Sequence, residues 1–463
     1  MSVIQSQEFV EIDPLNTVPT YGFSKGFPII QFEISSQNKF LVGSSIRVNA
    51  DVSIKATPSG GTATQLVNNG KTTGNSGAGR PLFNASFNNR VGASSIIHQI
   101  TISNQEQKTL ETIRNYPMFL AGTLPATHSS PDFDCGLSQQ SGNSSRALTG
   151  ACGLNETTSV SIPLRCGLFN GNDMIPLSTN GTRGISIQLE LAPDANAIGS
   201  VSGATVPRSA GTVSYELSNV SLSYTLLVPN SEVQAQMGTP SSGSMSYNGV
   251  NHIYSVMNSS DQVLSLNLGS QKVLSVHSTV LPTTHINNSQ VDSLKTDYLR
   301  NKSVSTGTDY DEIVDIQEVS FSRGGMNFPL EQPIIERDIQ TSVRPQTEIL
   351  SNFINSIKSF NKMTSAMVSL NTNCNLNTHL ARDPSSTEQG LTRNANTLPD
   401  QNAPVYGFGV KTAELDVGVD YSRQAYALRI KSGLNGESPN SLFTYVLSEN
   451  TLSYSPNGVV IVN

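Results

Sequence analysis

The clearest pattern in the chain is a period of two. Between Ile185 and Leu191, the apolar residues Ile185, Ile187, Leu189 and Leu191 alternate with Ser186, Gln188 and Glu190, as a strand with one buried face requires. The stretch Ser161 to Ala192, "SIPLRCGLFNGNDMIPLSTNGTRGISIQLELA", places two shorter pieces before that strand. One carries Val160, Ile162 and Leu164, the other is "MIPL", and "GLFNGND" turns the chain between them through Gly and Asn residues that accept positive φ. The same alternation runs through "FPIIQFEI", then Ile46, Val48, Ala50, Val52 and Ile54, and again through Ile96, His98, Ile100 and Ile102. In "TVSYELSNVSLSYTLL" the odd residues Val213, Tyr215 and Leu217 give way to the even residues Val220, Leu222, Tyr224 and Leu226. A bulge or bend near Asn219 follows from that change of register.

Two stretches switch to helical spacing. In "KTLETIRNYPMFL", Leu110, Ile113 and Tyr116 share one face, which predicts a helix over 109–116 that Pro117 kinks or ends. Thr347 can cap a second helix over 347–360 whose Ile349, Leu350, Phe353, Ile354 and Ile357 align, with Glu348 in its first turn. Residues 1–26 show no period and read as an extended N-terminal arm, ordered only where a neighbour holds it. The stretch 229–246, "PNSEVQAQMGTPSSGSMS", begins at Pro and becomes rich in Gly and Ser, and marks a linker between domains.

The second half repeats the order of the first. Leu264, Leu266 and Leu268 alternate, then Leu274, Val276 and Val280, then "DEIVDIQEVSFSRGGMNFPLEQP", the helical stretch, a polar loop over about 371–403 and several closing strands. These are "YGFGVKTAELDVGVDY", "QAYALRIKS", "LFTYVLSENTLSY" and a final "VVIV" behind a Pro456-Asn457-Gly458 hairpin turn. A chain of 463 residues is long for one core at roughly 150 residues per domain. The pattern therefore predicts an all-β protein of two β-sandwiches: the arm at 1–26, a first sandwich at 27–228, the linker at 229–246 and a second sandwich at 247–463.

Composition agrees with that class. Charged residues are 14% of the chain and apolar residues 36%, with the remainder dominated by Ser, Asn, Thr, Gln and Gly that suit strands and turns. A net charge of −7 argues against a broad basic surface for nucleic acid, and the absence of Trp weakens a carbohydrate-binding reading built on aromatic platforms. No run approaches the about 18 apolar residues of a membrane span, and the start "MSVIQSQEFVEID" lacks the regions of a signal peptide. Synthesis in the cytosol of whatever cell produces the chain is the expectation.

Candidate chemistry is thin. The four cysteines, Cys135, Cys152, Cys166 and Cys374, have no metal-binding spacing and are expected to be free thiols, including Cys135 and Cys152 within one long loop. The six histidines His98, His128, His252, His277, His285 and His379 form no H-x-x-x-H pattern. The acidic cluster Asp309, Asp311 and Glu312 lacks the Gly and terminal Glu of a calcium loop. "GNSGAGRP" from Gly74 to Pro81 lacks the Lys-Ser/Thr ending of a phosphate cradle. Asp132 and Asp134 are too near in sequence to face each other as a glycosidase pair. The N-x-S/T triplets at Asn84, Asn155, Asn219 and Asn258 are expected to stay unmodified. No catalytic, cofactor-binding or metal residue is nominated, and no cofactor is expected.

The order of these pieces resembles double jelly-roll major capsid proteins of small eukaryotic DNA viruses, of the polinton-like virus and virophage type. "NRVGASSIIHQITIS" with the helical stretch behind it is similar to the family's strand-then-helix unit. "VSYELSNVSLSYTLLVPNSEV" is similar to the strand that ends the first roll, and "VSFSRGGMNFPLEQPI" to the strand with a glycine pair and a following proline. The resemblance implies two tandem eight-stranded jelly-roll β-sandwiches. It also implies homotrimeric, pseudo-hexagonal capsomers that tile an icosahedral shell around a double-stranded DNA genome, no enzymatic activity, and a place in the virion. The implied partners are further copies of the chain, then penton and minor capsid proteins, without sequence-specific nucleic-acid binding. The alternative in a different class is a tandem β-sandwich spike or adhesin that binds a receptor or glycan.

Overall fold

The computed structural model describes residues 3–35, 37–58, 64–65, 86–87, 91–127, 158–171, 174–199, 211–266, 272–283, 286–287, 316–328, 352, 355–357, 407–412, 419–420, 426–432 and 440–462. The first roll is built from β1 (Ile4–Ile12), β2 (Ile29–Ile34), β3 (Lys39–Pro58), β4 (Thr64–Gln65), β5 (Ser86–Phe87), β6 (Ile97–Ser103) and β7 (Thr109–Arg114). It continues through β8 (Thr158–Pro163), β9 (Ile175–Leu177), β10 (Ile185–Leu191), β11 (Ile198–Gly199) and β12 (Gly211–Pro229). One sheet runs β1-β12-β3, with β9, β8 and β4 end to end along the far edge of β3. The facing sheet runs β2-β10-β6-β7. Counting β8 and β9 as one interrupted strand and leaving aside the short β4, β5 and β11, the roll has eight strands.

The second roll is built from β13 (Gly243–Met257), β14 (Asp261–Leu266), β15 (Lys272–Pro282), β16 (Ile316–Arg323), β17 (Met326–Phe328), β18 (Phe408–Lys411), β19 (Val419–Asp420), β20 (Tyr426–Ser432), β21 (Asn440–Ser455) and β22 (Gly458–Val462). Its sheets run β13-β21-β15, with β18 and β19 end to end along β15, and β14-β20-β16-β17. Apart from β22, which adds to β21, the connectivity is that of the first roll. β13 stands where β1 stands, β14 where β2 does, β15 for β3, β16 and β17 for β6 and β7, β20 for β10 and β21 for β12. The fold is two tandem jelly rolls.

Alternation places the core. Ile185, Ile187, Leu189 and Leu191 of β10 and Ile46, Val48, Ala50, Val52 and Ile54 of β3 are all buried in the first roll, each Ile, Leu or Val among them contributing about 1.5–3 kcal/mol relative to exposure. The strands of the stretch 161–192 divide between the layers, because β8 and β9 pair with β3 whereas β10 pairs with β2 and β6. The turn between β8 and β9 contains a short helix, α2 (Gly167–Gly171), after α1 (Tyr116–Thr127) and before α3 (Asp194–Ala197) and α4 (Ser231–Gly238). The register of β12 slips between Ser218 and Ser221, where Asn219 adopts φ +50° and its Nδ2 donates to Asp51 Oδ2 at 2.8 Å. Ser455 pairs with Gly458 across Pro456-Asn457, and the glycine pair Gly324-Gly325, both at positive φ, closes the β16–β17 hairpin.

Three expectations are corrected. Residues 1–26 are not a free arm, because β1 pairs along β12 within the chain's own sheet, with Val10 and Ile12 packed on the core and Tyr21 buried. Residues 109–114 form strand β7 rather than a helix. Ladder bonds to β6 override the three-residue spacing of Leu110 and Ile113, and the helix begins only at Tyr116, after Asn115 at φ +51°. Pro117 therefore lies in the first turn of α1, where its missing N–H has no intrahelical partner to lose. The stretch 229–246 is not wholly a flexible linker, since Asn230 Oδ1 accepts from Val233 N–H at 2.9 Å and caps α4, and β13 already begins at Gly243. Of the second predicted helix, Asn352 and 355–357 are helical and Ile357 is buried in the second core. Thr347, Ile349, Leu350, Phe353 and Ile354 lie outside the described residues.

The bulge at Asn219 gives a direct test. A β-branched residue is unfavourable at positive φ, so Asn219→Val is expected to lower stability by about 1–2 kcal/mol while Asn219→Gly stays near wild type in thermal melts.

Candidate functional site at the seam between the rolls

The sheet β13-β21-β15 is covered on both faces. From β21, Leu442 and Val446 enter the second roll's core, while Phe443, Tyr445 and Leu447 belong to the apolar cluster of the first. Val273, Val276 and Val280 of β15 likewise face their own roll, and Leu274 and Leu281 join the other. Residues 440–448 are accordingly all buried. The cover comes from α1, α2 and β7 of the first roll. The Phe119 ring lies 5.2 Å from that of Tyr445 and 5.8 Å from that of His277, and the Tyr445 hydroxyl donates to the Asn115 carbonyl at 2.9 Å. A Cβ on Gly122 would come within 2.9 Å of Thr279 Cγ2, so α1 lies close on β15 where that residue has no side chain. Gly167 and Gly249 bring two backbones equally close, with a Cβ on Gly167 falling 2.9 Å from Gly249 Cα.

Glu111 sits at the centre of this seam and is buried. Its Oε1 accepts from Gly167 N–H and from Val250 N–H, each at 2.8 Å, and its Oε2 accepts from Leu168 N–H at 2.8 Å. One carboxylate on β7 thus holds the start of α2 in its own roll and β13 in the other. The Cys166 thiol is a fourth hydrogen-bond partner. Burial pushes the Glu111 carboxyl up to about 7, against the hydrogen bonds from Leu168, Val250, Gly167 and Cys166 that favour the ionised form. Burial, then the neighbouring Glu111, raises the Cys166 thiol well above its ordinary range, so it is an inert neutral group. Beside Glu111, the Tyr247 hydroxyl donates to the Leu110 carbonyl at 3.0 Å.

The seam also carries histidines. His252 and His277 flank Tyr445, with ring centres at 4.9 and 5.2 Å. Burial lowers His277 to about 3, and burial with the charges of Arg114 and His98 lowers His252 to about 4, so both rings are neutral near pH 7. At the rim, Arg183 pairs with Glu106 at 2.5 Å and donates to the Ser455 carbonyl. Glu106 Oε2 accepts from Val459 N–H at 2.9 Å, and Asn196 Oδ1 accepts from Asn287 N–H at 2.7 Å.

His98, His252, His277 and Cys166 are therefore parts of strands and seam, and among the described residues no group of three or more His, Cys, Asp or Glu is placed to hold a metal ion. His128, His285, His379, Cys135, Cys152, Cys374, Asp132, Asp134, Asp309, Asp311, Glu312 and residues 74–81 lie outside the described residues. No helix among the described residues is long and apolar enough to cross a membrane. Sequence reading missed Glu111, whose partners are backbone N–H groups that leave no mark in the sequence.

Two rolls whose eight main strands follow one order, joined through a buried seam, define a double jelly-roll fold. The Faustovirus major capsid protein matches this chain with a TM-score of 0.57 at 10% identity, over 97% of this chain and 90% of that one. A chain of the Sputnik virophage structure determined by cryo-electron microscopy matches at 0.55 with 11% identity, over 100% and 89%. The PBCV-1 protein VP54, fitted into a reconstruction of the same virophage, matches at 0.53 with 10% identity, over 99% and 97%. No protein-family model and no curated protein sequence matches the chain.

Glu111→Ala leaves three buried N–H groups without an acceptor and is expected to cost about 3–5 kcal/mol. The acid response separates the groups. Below the ordinary value of 6.5, the unfolded chain protonates His252 and His277 before the folded chain does. Stability from each is therefore lost as pH falls from 6.5 towards 4 and 3, by about 1.4 kcal/mol per pH unit. Glu111 acts with the opposite sign: its contribution is fully present below its ordinary 4.5 and is lost as pH rises through about 7. Relative to wild type, His252→Phe should gain stability as pH drops from 6.5 to 4.5, and Glu111→Gln should lose it. Chemical denaturation across that pH range checks both signs.

Proposed function

We propose that the chain is a viral major capsid protein that acts by self-assembly and has no catalytic role. In this reading the first roll runs from β1 to β12, 229–246 connects the rolls and 247–463 holds the second. Three copies form a pseudo-hexagonal capsomer, and capsomers tile an icosahedral shell around a double-stranded DNA genome. The observation that carries the proposal is the repeat of one roll's main strand order within one chain. Two like rolls fixed side by side give a trimer six near-equivalent sides, and sandwiched sheets give each side a rigid wall. The likeness in fold to the Faustovirus major capsid protein supports the same reading. The partners are then other copies of the chain, with penton and minor capsid proteins completing the shell, and the location is the virion.

Permanent subunit interfaces resemble domain cores and bury roughly 2,000 Å² or more, whereas contacts between capsomers form reversibly and depend more on screened surface charge. With only 14% of residues charged, trimers are expected to survive high salt that releases them from shells. Native mass spectrometry and light scattering across a salt series should therefore detect trimers before monomers. A chain that stays monomeric at every concentration and instead binds members of a glycan array would overturn the proposal.

A further inference from the structure

The two rolls treat one equivalent strand edge differently. In the first roll, residues 13–28 connect β1 to β2, and two of them bond to the free edge of β2. Leu15 N–H donates to the Gln31 carbonyl at 2.7 Å, Asn16 Nδ2 donates to the Ile29 carbonyl at 2.7 Å, and Gln31 N–H donates to Asn16 Oδ1 at 3.0 Å. Val18 of the same segment packs on the core, and Phe32 of β2 is fully buried. In the second roll, Asn258, Ser259 and Ser260 alone connect β13 to β14. Among the described residues β14 pairs with β20 and no strand pairs with its other edge. Leu264, which stands in β14 where Phe32 stands in β2, is only half-buried, and Val263 is 63% exposed. The devices that usually guard an open edge are missing as well. β14 has no Lys, no Pro and no bulge, and its single charge, Asp261, is paired with Arg429 at 2.6 Å.

Which backbone groups face that edge follows from β2. Along a strand, the residues that point their side chains to one face also turn their N–H and C=O groups to one edge. In β2 the outward residues Ile29 and Gln31 are the ones bonded at the free edge. β14 runs in the same sense at the same place in its sheet, so Asp261, Val263 and Ser265 present theirs. In agreement, the Asp261 carbonyl accepts from Ser259 Oγ at 2.9 Å.

We infer that the free edge of β14 is the docking site for the same edge of a second copy of this chain, the two strands running antiparallel about a two-fold axis midway between their Val263 residues. That register sets Val263 against Val263, Asp261 against Ser265 and Gln262 against Leu264, so no like charges oppose and the exposed valines meet. About six N–H···O=C bonds close between the two edges, and the two four-stranded sheets become one. The other edge strands suit this less. β1 carries Glu8 and Glu11 and its register breaks between Ile4 and Ser6, while on β13 the Val250 N–H is already taken by Glu111. A two-fold contact cannot lie inside a three-fold ring, so the β14 pair joins one capsomer to the next. That place in the shell rests on the capsid reading, and the pairing itself rests on the edge.

Two variants of the full chain test the pairing. Val263→Cys, oxidised at assembly concentration and digested without reductant, is expected to yield a peptide pair linked between the 263 positions of two copies. Val263→Pro removes an N–H that β20 does not use, and proline is tolerated on the open side of an edge strand, so melting temperature and trimers should match wild type. Association of those trimers into larger assemblies should weaken by about 10-fold or more in light scattering, whereas Val263→Ala, which keeps the N–H, should assemble better than the proline variant. Wild-type trimers that go no further, larger assemblies that tolerate the proline, or a thiol at position 263 that pairs only with other cysteines would each overturn the docking assignment and leave the capsid reading standing. A wild-type chain that never associates would remove both.

Discussion

A sheet with two apolar faces cannot stand at the edge of a protein, and the rest of this molecule follows from that constraint. β21 is buried on both sides from Asn440 to Ser448, as in sheets that are covered by other elements on each face. One side is filled by its own roll. The other needs a second layer, and α1, α2 and β7 of the first roll supply it, with Gly122 and Gly167 allowing helix and strand backbones to approach closely. The two rolls thus share one apolar cluster that crosses the seam, beside a second cluster that lies wholly within the second roll. Jelly rolls joined only by a linker would reorient freely, whereas this pair is held at one angle.

Apolar contact alone fixes distance better than register, and the polar groups in the seam supply the register. Glu111 reaches three backbone N–H groups from two segments of the chain, one in each roll. A shift of β13 by one residue would withdraw Val250 N–H and leave a buried carboxylate short of a donor, at a cost well above that of a lost apolar contact. The Tyr445 and Tyr247 hydroxyls, bonded to the carbonyls of Asn115 and Leu110, add constraints of the same kind. Ionising a buried carboxyl is itself unfavourable, which is why Glu111 is pushed up to about 7 despite its donors. The group specifies geometry more than it adds stability.

The sequence announced most of the strands and little of the seam. Strands such as β3 and β10 have one wet face and one dry face, and their alternation is visible without any partner. The bend at Asn219 and the hairpin at Pro456-Asn457-Gly458 were legible for a related reason, since each is set by local backbone chemistry. What failed depended on distant contacts. Leu110 and Ile113 have helical spacing, but β6 offers a ladder and Pro117 shifts the helix to start at Tyr116. β1 has little alternation because it is an edge strand, held by β12 more than two hundred residues away. α4 was hidden in a stretch rich in Ser and Gly, although Asn230 ahead of Glu232 is a legible cap. In "LFTYVLS" the run of buried residues marked a strand without telling what lies over its outer face, and Glu111 carries its meaning only through backbone groups at 167, 168 and 250.

The difference between the two equivalent sheet faces has a physical reason of its own. The face on β13-β21-β15 is covered as soon as a single chain folds, so it can be as apolar as a core, with Phe443, Tyr445 and Leu447 in line. The face on β1-β12-β3 is open in the folded chain, and there Gln7 and Thr225 interrupt Phe9, Val42, Phe40 and Leu227. A sheet face open to water carries such polar interruptions, while one buried between two layers resembles a divided core. Repetition of one roll within a chain therefore gives two like sheet faces in different surroundings, and the face that is covered on folding is the more continuously apolar of the two.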